Sequence, residues 1–316
     1  MRRLLSAVTL AVFLFISPLA AGAERYLIPG GQAIGLQLRD DTITVAAYDD
    51  TCPAGREAGI QIGDQIEKIN GTPVTTAQQV QAALKASPPS AVITLSRGGK
   101  RQQLTVPLSG GRLGVYLRQG ISGIGTVTFF DPATGTFAAL GHGVSNAKGT
   151  LLQLRSGSAY QVLLGDIQRG KAGSPGQLKG EADPGSLLGV LTQNTPQGVF
   201  GRLEGPLPGT PLPTADYESL QTGPATIRCT LDHTGVQEYS VEILKIYPES
   251  KSNGRNLLLK VTDPALLEKT GGVIQGMSGS PIIQDGKLIG AVTHVLVNDP
   301  ATGYGIFIEN MLDAAG

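Results

Sequence analysis

The run GGVIQGMSGSPIIQDGKLIGAVTHVL, from Gly271 to Leu296, sets Ser278 and Ser280 in a glycine-rich turn between apolar stretches. A turn hydroxyl attacks only when a base lies beside it, and the 316-residue chain offers three histidines: His142, His233 and His294. The chemistry they would support is acyl transfer, with serine as nucleophile and imidazole as proton carrier. Gly276, Gly279 and Pro281 suit neither a helix nor a central strand. The chain should therefore turn, enter a strand at Ile282-Ile283, turn again at Asp285-Gly286 and return along Leu288 to Val292. His233 lies in LDHTG, a hairpin tip where a solvated histidine is ordinary. His142 sits in FAALGHGVSN, after an apolar strand and between glycines that let backbone approach closely.

The elements that must carry these groups are short. With 44 glycines and 20 prolines the chain has many turns, which predicts a mainly β architecture. From Ile34 to Leu108 the pattern gives strands at Ile34–Leu38 and Thr42–Ala46, a helix over Thr76–Ala86, and a strand pair, Ala91–Arg97 and Gln102–Leu108, joined at Gly98-Gly99. Beyond Leu113 come short β-like runs, among them Ile124–Phe130, Thr136–Leu140, Thr226–Thr230, Gln237–Ile246 and Leu257–Val261. The pentapeptide DPATG occurs at Asp131–Gly135 and again at Asp299–Gly303. Both copies read as hairpin turns, and the repeat suggests a duplicated barrel half.

Twenty-five basic and 25 acidic residues leave no formal net charge and no charged run, which excludes nucleic acid and anionic membrane surfaces as electrostatic partners. Residues 1–23, with Arg2 and Arg3, an apolar stretch to Leu19 and Ala21-Gly22-Ala23, read as an export signal, cleaved or kept as an anchor. Cys52 and Cys229 form neither a disulfide framework nor a metal site. Oligomeric state has no signature in the sequence.

Residues Pro53-Ala54, Ala58-Gly59, Ile62-Gly63-Asp64, Ile66 and Ile69-Asn70-Gly71 resemble a PDZ domain, assigned to residues 24–108. Such domains add a peptide strand to a sheet edge and hold a chain-terminal carboxylate on loop amides. The resemblance implies a loop at Gly30-Gly31-Gln32-Ala33 and a peptide-binding strand at Ile34, Gly35 and Leu36.

From Gly276 onward the sequence resembles the end of a chymotrypsin-like serine peptidase, assigned to residues 109–316 as a double β-barrel. That comparison implies Ser278 as nucleophile, an oxyanion hole of the Gly276 and Ser278 amides, and Thr293 and His294 on the strand lining the substrate groove. His142 then remains as the base. The order His…Asp…Ser of this class puts the acid among Asp166, Asp183, Asp232 and Asp263. Asp263 precedes Pro264 at the start of a helix ending at Gly271-Gly272, the pattern of an N-cap. A carboxylate that caps with one oxygen still has a second to orient an imidazole. A Ser-Lys dyad through Lys260, Lys269 or Lys287 has no motif behind it.

The whole order, export signal, PDZ, GHG, TDP and QGMSGSPI, resembles the SpoIVB peptidase family of endospore-forming bacteria. The resemblance implies a triad of His142, Asp263 and Ser278 with no metal or organic cofactor. It further implies secretion into the forespore intermembrane space, self-cleavage, and cutting of a membrane-bound regulator of an intramembrane protease, so that a sigma factor is activated. Two other readings stand beside it: a PDZ-bearing quality-control protease, in which the PDZ would follow rather than precede the catalytic domain, and a non-catalytic PDZ adaptor.

Overall fold

The computed structural model describes residues 25–87, 89–146, 149–248 and 254–316. The expected export signal at residues 1–23 lies outside them.

Two strands, β1 (Tyr26–Pro29) and β2 (Ala33–Tyr48), open the chain. A small domain follows, made of α1 (Ala54–Glu57), β3 (Gln65–Ile69), β4 (Thr72–Pro73), α2 (Ala77–Lys85), β5 (Ser90–Arg97) and β6 (Lys100–Pro107). The chain then returns along β7 (Val115–Asp131), a 17-residue strand. The α2 helix starts as its sequence dictates: Thr76 accepts from the Gln79 amide, and the Gln79 side chain reaches back to the Thr76 amide. This reciprocal cap satisfies two of the orphan donors at the helix start.

β7 leads into β8 (Thr136–Ala139), β9 (Ser156–Gln168), β10 (Gln177–Thr195), β11 (Gly198–Leu203) and the short β12 (Leu212–Pro213). Strands β2, β7, β8, β11, β10 and β9 pair in a ring, the first barrel. The second barrel is closed by β13 (Gly223–Thr230), β14 (Val236–Ile246), β15 (Leu257–Val261), β16 (Pro281–Gln284), β17 (Lys287–Leu296) and β18 (Asp299–Phe307). Helix α3 (Pro264–Thr270) sits between β15 and β16, and α4 (Ile308–Ala315) ends the chain.

The barrel interiors follow the period of two that strands require. In β13 Ala225, Ile227 and Cys229 are buried while their neighbours are less so. Separate apolar clusters fill the second barrel, the first barrel and the small domain. A fourth, with Leu27, Phe129, Leu288, Ile306 and Met311, joins the barrels beneath α4. Truncating a fully buried ring such as Phe129 in that cluster costs roughly 3–5 kcal/mol, so the barrels' relative placement rests on real packing. Cys52 and Cys229 are both buried and unbridged, and burial pushes the Cys229 thiol up to about 12.

Two expectations about elements change. The segments 34–38 and 42–46 are one continuous strand, β2, with a register shift between Leu38 and Ile43. Of the two DPATG copies only the first is a hairpin turn, in which Ala133 donates its amide to the Asp131 side chain and Gly135 to its carbonyl. The second opens β18, where the Thr302 hydroxyl donates to the Asp299 carboxylate.

Candidate active site and peptide-binding edge

Ser278 stands in the turn before β16, half-buried, on the wall of a cavity of about 480 Å³. His142, Gly276, Thr293, His294 and Ile124 line the same cavity. The sequence thus brings together a serine and a histidine 136 positions apart, each contributed by a different barrel.

The nucleophile turn is tied to the first barrel through Thr126 on β7. The Thr126 amide donates to the Ser278 carbonyl at 2.9 Å, and its hydroxyl to the Gly276 carbonyl at 2.7 Å. The Thr126 carbonyl accepts from Leu140 at 3.2 Å, which fixes the start of the histidine loop. Leu140 adopts φ of 72°, a left-handed conformation costly for a leucine and of the kind found at functional sites. Gly279 has φ of 96°, and a Cβ there would lie 2.1 Å from the Thr126 carbonyl oxygen. Only glycine allows this approach of the two barrels.

Within the turn, the Met277, Gly279 and Ser280 amides donate to Ile274, Val292 and Met277 carbonyls. Among the described residues no acceptor takes the Gly276 or Ser278 amide. Two free N–H groups flanking the nucleophile make a donor pair for a developing oxyanion. Ser280 is fully buried and its hydroxyl has no partner among the described residues, so it cannot present itself to a substrate.

The Ser278 hydroxyl donates to the Thr293 carbonyl at 2.9 Å. His142 holds the Gly143 carbonyl through Nδ1 at 3.0 Å. A carbonyl can only accept, so the proton sits on Nδ1 and Nε2 is the basic nitrogen. Burial lowers the His142 pKa below the ordinary imidazole value, which keeps it neutral. His294 lies alongside, ring centroids 5.3 Å apart, with its pKa lowered to about 4 by burial and then by His142 and Arg255. Asn194, near the end of β10, clamps the loop after His142: it accepts from the Val144 amide and donates to the Val144 and Leu152 carbonyls. Nothing in its local sequence marks it, because its partners are 42 and 50 residues away.

Asp263 is not brought to His142. It caps α3, one oxygen accepting from Leu266 at 3.0 Å and the other from the Ser240 amide at 3.3 Å. β15 accounts for the separation. Gly254, before that strand, abuts Gly141 and Thr293, and the strand then carries the chain roughly 13 Å away from them. The other candidate acids are also engaged elsewhere or exposed: Asp183 with Ser186, Asp232 with Lys269 and Thr234, and Asp166 facing solvent. Among the described residues no carboxylate and no lysine lines the cavity. In this conformation the Gly143 carbonyl does what a triad acid would do for the imidazole tautomer.

The peptide-binding residues expected at Ile34, Gly35 and Leu36 are corrected by the pairing. β2 is bonded there on both sides, to Gly125, Ile124 and Gly123 of β7 and to Gln161, Tyr160 and Ala159 of β9. The Gly30 and Gly31 amides are used as well, by the Thr128 and Val127 carbonyls. These residues close a barrel and offer no edge. The open edge of the small domain is the first part of β7, Val115–Gln119, whose only strand partner among the described residues is β2. Helix α2 packs beside it, with Val80 and Leu84 in one cluster with Leu113, Val115 and Leu117. Before it runs the loop Gly110-Gly111-Arg112-Leu113-Gly114. The Leu113 and Gly114 amides have no acceptor among the described residues, and the Arg112 guanidinium stands 3.6 Å from Asp49. Gly114 has φ of 71°, and a Cβ there would meet the Cys52 carbonyl oxygen at 1.7 Å. A glycine loop with free amides opening onto an unpaired strand beside a helix is what a carboxylate-capturing groove requires.

Two barrels with the nucleophile turn and the histidine loop facing one cleft define the chymotrypsin-like peptidase fold, here carrying a PDZ domain. Residues 110–312 match the SpoIVB peptidase S55 family and residues 45–97 match the PDZ domain; the chain belongs to the SpoIVB peptidase family. A protein of Vibrio cholerae serotype O1 named as a zinc metalloprotease is 29% identical over 122 residues, 36% of this chain and 27% of its own length. The chain therefore spans about a quarter of that relative. Among solved structures, an inactive form of the Rv3671c protease is similar at 15% identity and a TM-score of 0.35, covering 60% of this chain and 81% of that one. An inactive serine-to-alanine mutant of Rv3671c from M. tuberculosis H37Rv is similar at 13% identity and a TM-score of 0.34, covering 60% and 78%.

Proposed function

We propose that the protein is an exported serine endopeptidase that cuts itself and a membrane-associated regulatory protein in sporulation signalling, acting in the forespore intermembrane space. The observation that carries the peptidase reading is the convergence of His142, Ser278 and two unused amides on one cavity. Family membership and the basic, apolar residues 1–23 support the sporulation role and the export.

In the reaction the Ser278 hydroxyl leaves the Thr293 carbonyl and gives its proton to Nε2 of His142 as its oxygen attacks a peptide carbonyl. The Gly276 and Ser278 amides take the oxyanion, and the imidazolium, held through Nδ1–H by Gly143, returns the proton to the leaving amine. Removing either member of such a unit costs about as much as removing both, on the order of 10³-fold or more.

The test is the full chain acting on an unfolded protein and on itself. Ser278→Ala and His142→Ala should each abolish cleavage, whereas Ser280→Ala and the exposed His233→Ala should keep most of it. Labelling of Ser280 rather than Ser278 by an active-site phosphonate, or activity equal to the parent in Ser278→Ala, would overturn the assignment, and a parent chain that neither cleaves nor takes the phosphonate would favour the adaptor reading. The metal named for the Vibrio relative has no counterpart donor set here, since among the described residues no group of three or more His, Cys, Asp or Glu could hold an ion.

A further inference from the structure

β7 is one unbroken strand with two different neighbours on its open side. Its first segment, Val115–Gln119, is the edge beside α2, preceded by the donor loop at Leu113-Gly114. Its second segment enters the catalytic cleft: Ile121, Gly123 and Ile124 line the cavity that holds Ser278. Between them lies only Gly120, with φ of 80°, at the crossing from PDZ domain to barrel. Throughout this length β2 occupies one side of β7. The other side is thus a single track from the donor loop to the nucleophile.

We propose that this track measures the substrate: the peptidase takes an extended carboxyl-terminal segment, fixes its terminal carboxylate at the Leu113-Gly114 loop, and cuts it about eight to ten residues before its end. The direction follows from charge and strand geometry. Free amides bind an anion, so the carboxyl end belongs at the loop. A chain lying antiparallel on β7 then runs from Ile124 to Gly114, which leaves its earlier residues at Ser278. The separation follows from the strand itself, ten positions from Ile124 to Gly114, or about 33 Å at ~3.3 Å per residue before the shortening by the Gly120 crossing. The inference rests on the serine peptidase reading and adds to it a substrate class, proteins with a flexible and accessible carboxyl terminus.

The experiment uses the full chain and unstructured peptides of about 25 residues, with the cut located by mass spectrometry. For a peptide with a free carboxylate, cleavage should cluster eight to ten residues from the end, and appending six residues should carry the preferred bond along with the new terminus. Amidating the terminus should lower kcat/KM at least tenfold. Binding is read separately with the Ser278→Ala chain by fluorescence anisotropy, where the free acid should bind at least tenfold tighter than the amide. A cut that stays with its sequence when the terminus moves, or an amide bound and cleaved as well as the acid, would overturn the measuring track while leaving the peptidase intact. Tight binding of the acid without any cleavage, and no labelling of Ser278 by a phosphonate, would instead overturn the peptidase reading on which it rests.

Discussion

Thr126 and Gly276 are 150 residues apart in sequence, and the hydroxyl of the first donates to the carbonyl of the second at 2.7 Å in a buried site. The first barrel thereby sets the peptide unit whose neighbouring amide faces the oxyanion. Thr126→Val leaves the Gly276 carbonyl buried without a donor, a cost of roughly 1–3 kcal/mol that the turn can escape by rotating. The expected result is a fall in kcat of about tenfold or more with KM little changed. Thr126→Ser, which keeps the hydroxyl, should restore most of the rate. Equal kcat in Thr126→Val and the parent would mean that the turn holds its shape unaided.

Gly279→Ala tests the backbone contact beside the nucleophile. The added carbon would stand 2.1 Å from the Thr126 oxygen and 2.5 Å from the Leu140 nitrogen, both backbone atoms with little room to give. Both the melting temperature and the activity should drop, because the barrels must part to admit it. An alanine variant that melts within a degree of the parent would show that the contact yields without separating the barrels.

The histidines set the dependence on pH. Burial holds the His142 pKa below the ordinary imidazole value of about 6.5, so the acid limb of kcat/KM should fall below pH 6.5. For His294 the folded pKa is about 4, below its unfolded value of 6.5. The unfolded chain therefore takes the proton first. Stability from this group is full above pH 6.5 and is lost as the pH falls toward 4. Thermal melts between pH 7 and 4.5 should drop, and His294→Gln should drop less. A replacement that leaves the slope unchanged would assign the loss to other groups.

Asp263 separates a cap from an acid. Since both oxygens accept backbone amides, Asp263→Asn should keep the cap and melt close to the parent, while Asp263→Ala should lose about 1 kcal/mol. With no contact to His142, the Asn variant should turn over within about tenfold of the parent. A loss of several orders of magnitude at an unchanged melting temperature would restore the acid role that the family resemblance implies, reached by a conformation other than this one.

What could be read from sequence was what is local. The β16–β17 hairpin follows from Asp285-Gly286, whose positive φ values of 50° and 74° the residue types foretell. The α2 cap, and the α3 helix between Pro264 and the left-handed Gly271, are equally legible. Asp263 read on composition alone as a cap, and the structure places it as one. The edges were not legible, because which side of a strand is open depends on partners far along the chain. Ile34 pairs with Gly125 and Gln161, and no pattern within 34–38 distinguishes that double pairing from a single one. The loop at Gly110–Gly114 carries the same glycine and alternation signals as Gly30–Leu36, and only the long-range register chooses between them.

The chain leaves the first barrel for the PDZ domain along β2 and returns along β7, so the domain hangs from two adjacent strands and not from a linker. A module on a linker can be lost with its host intact. Here the two attachment strands are also staves of the barrel, and they come together only if the 81 inserted residues, Asp40 to Gly120, fold back on themselves. Loop-closure entropy for that stretch is offset by the inserted domain's own core. Excising the domain therefore calls for a tight turn joining Arg39 to Ile121, and a destabilised PDZ core should surface first as a fraying of the peptidase itself.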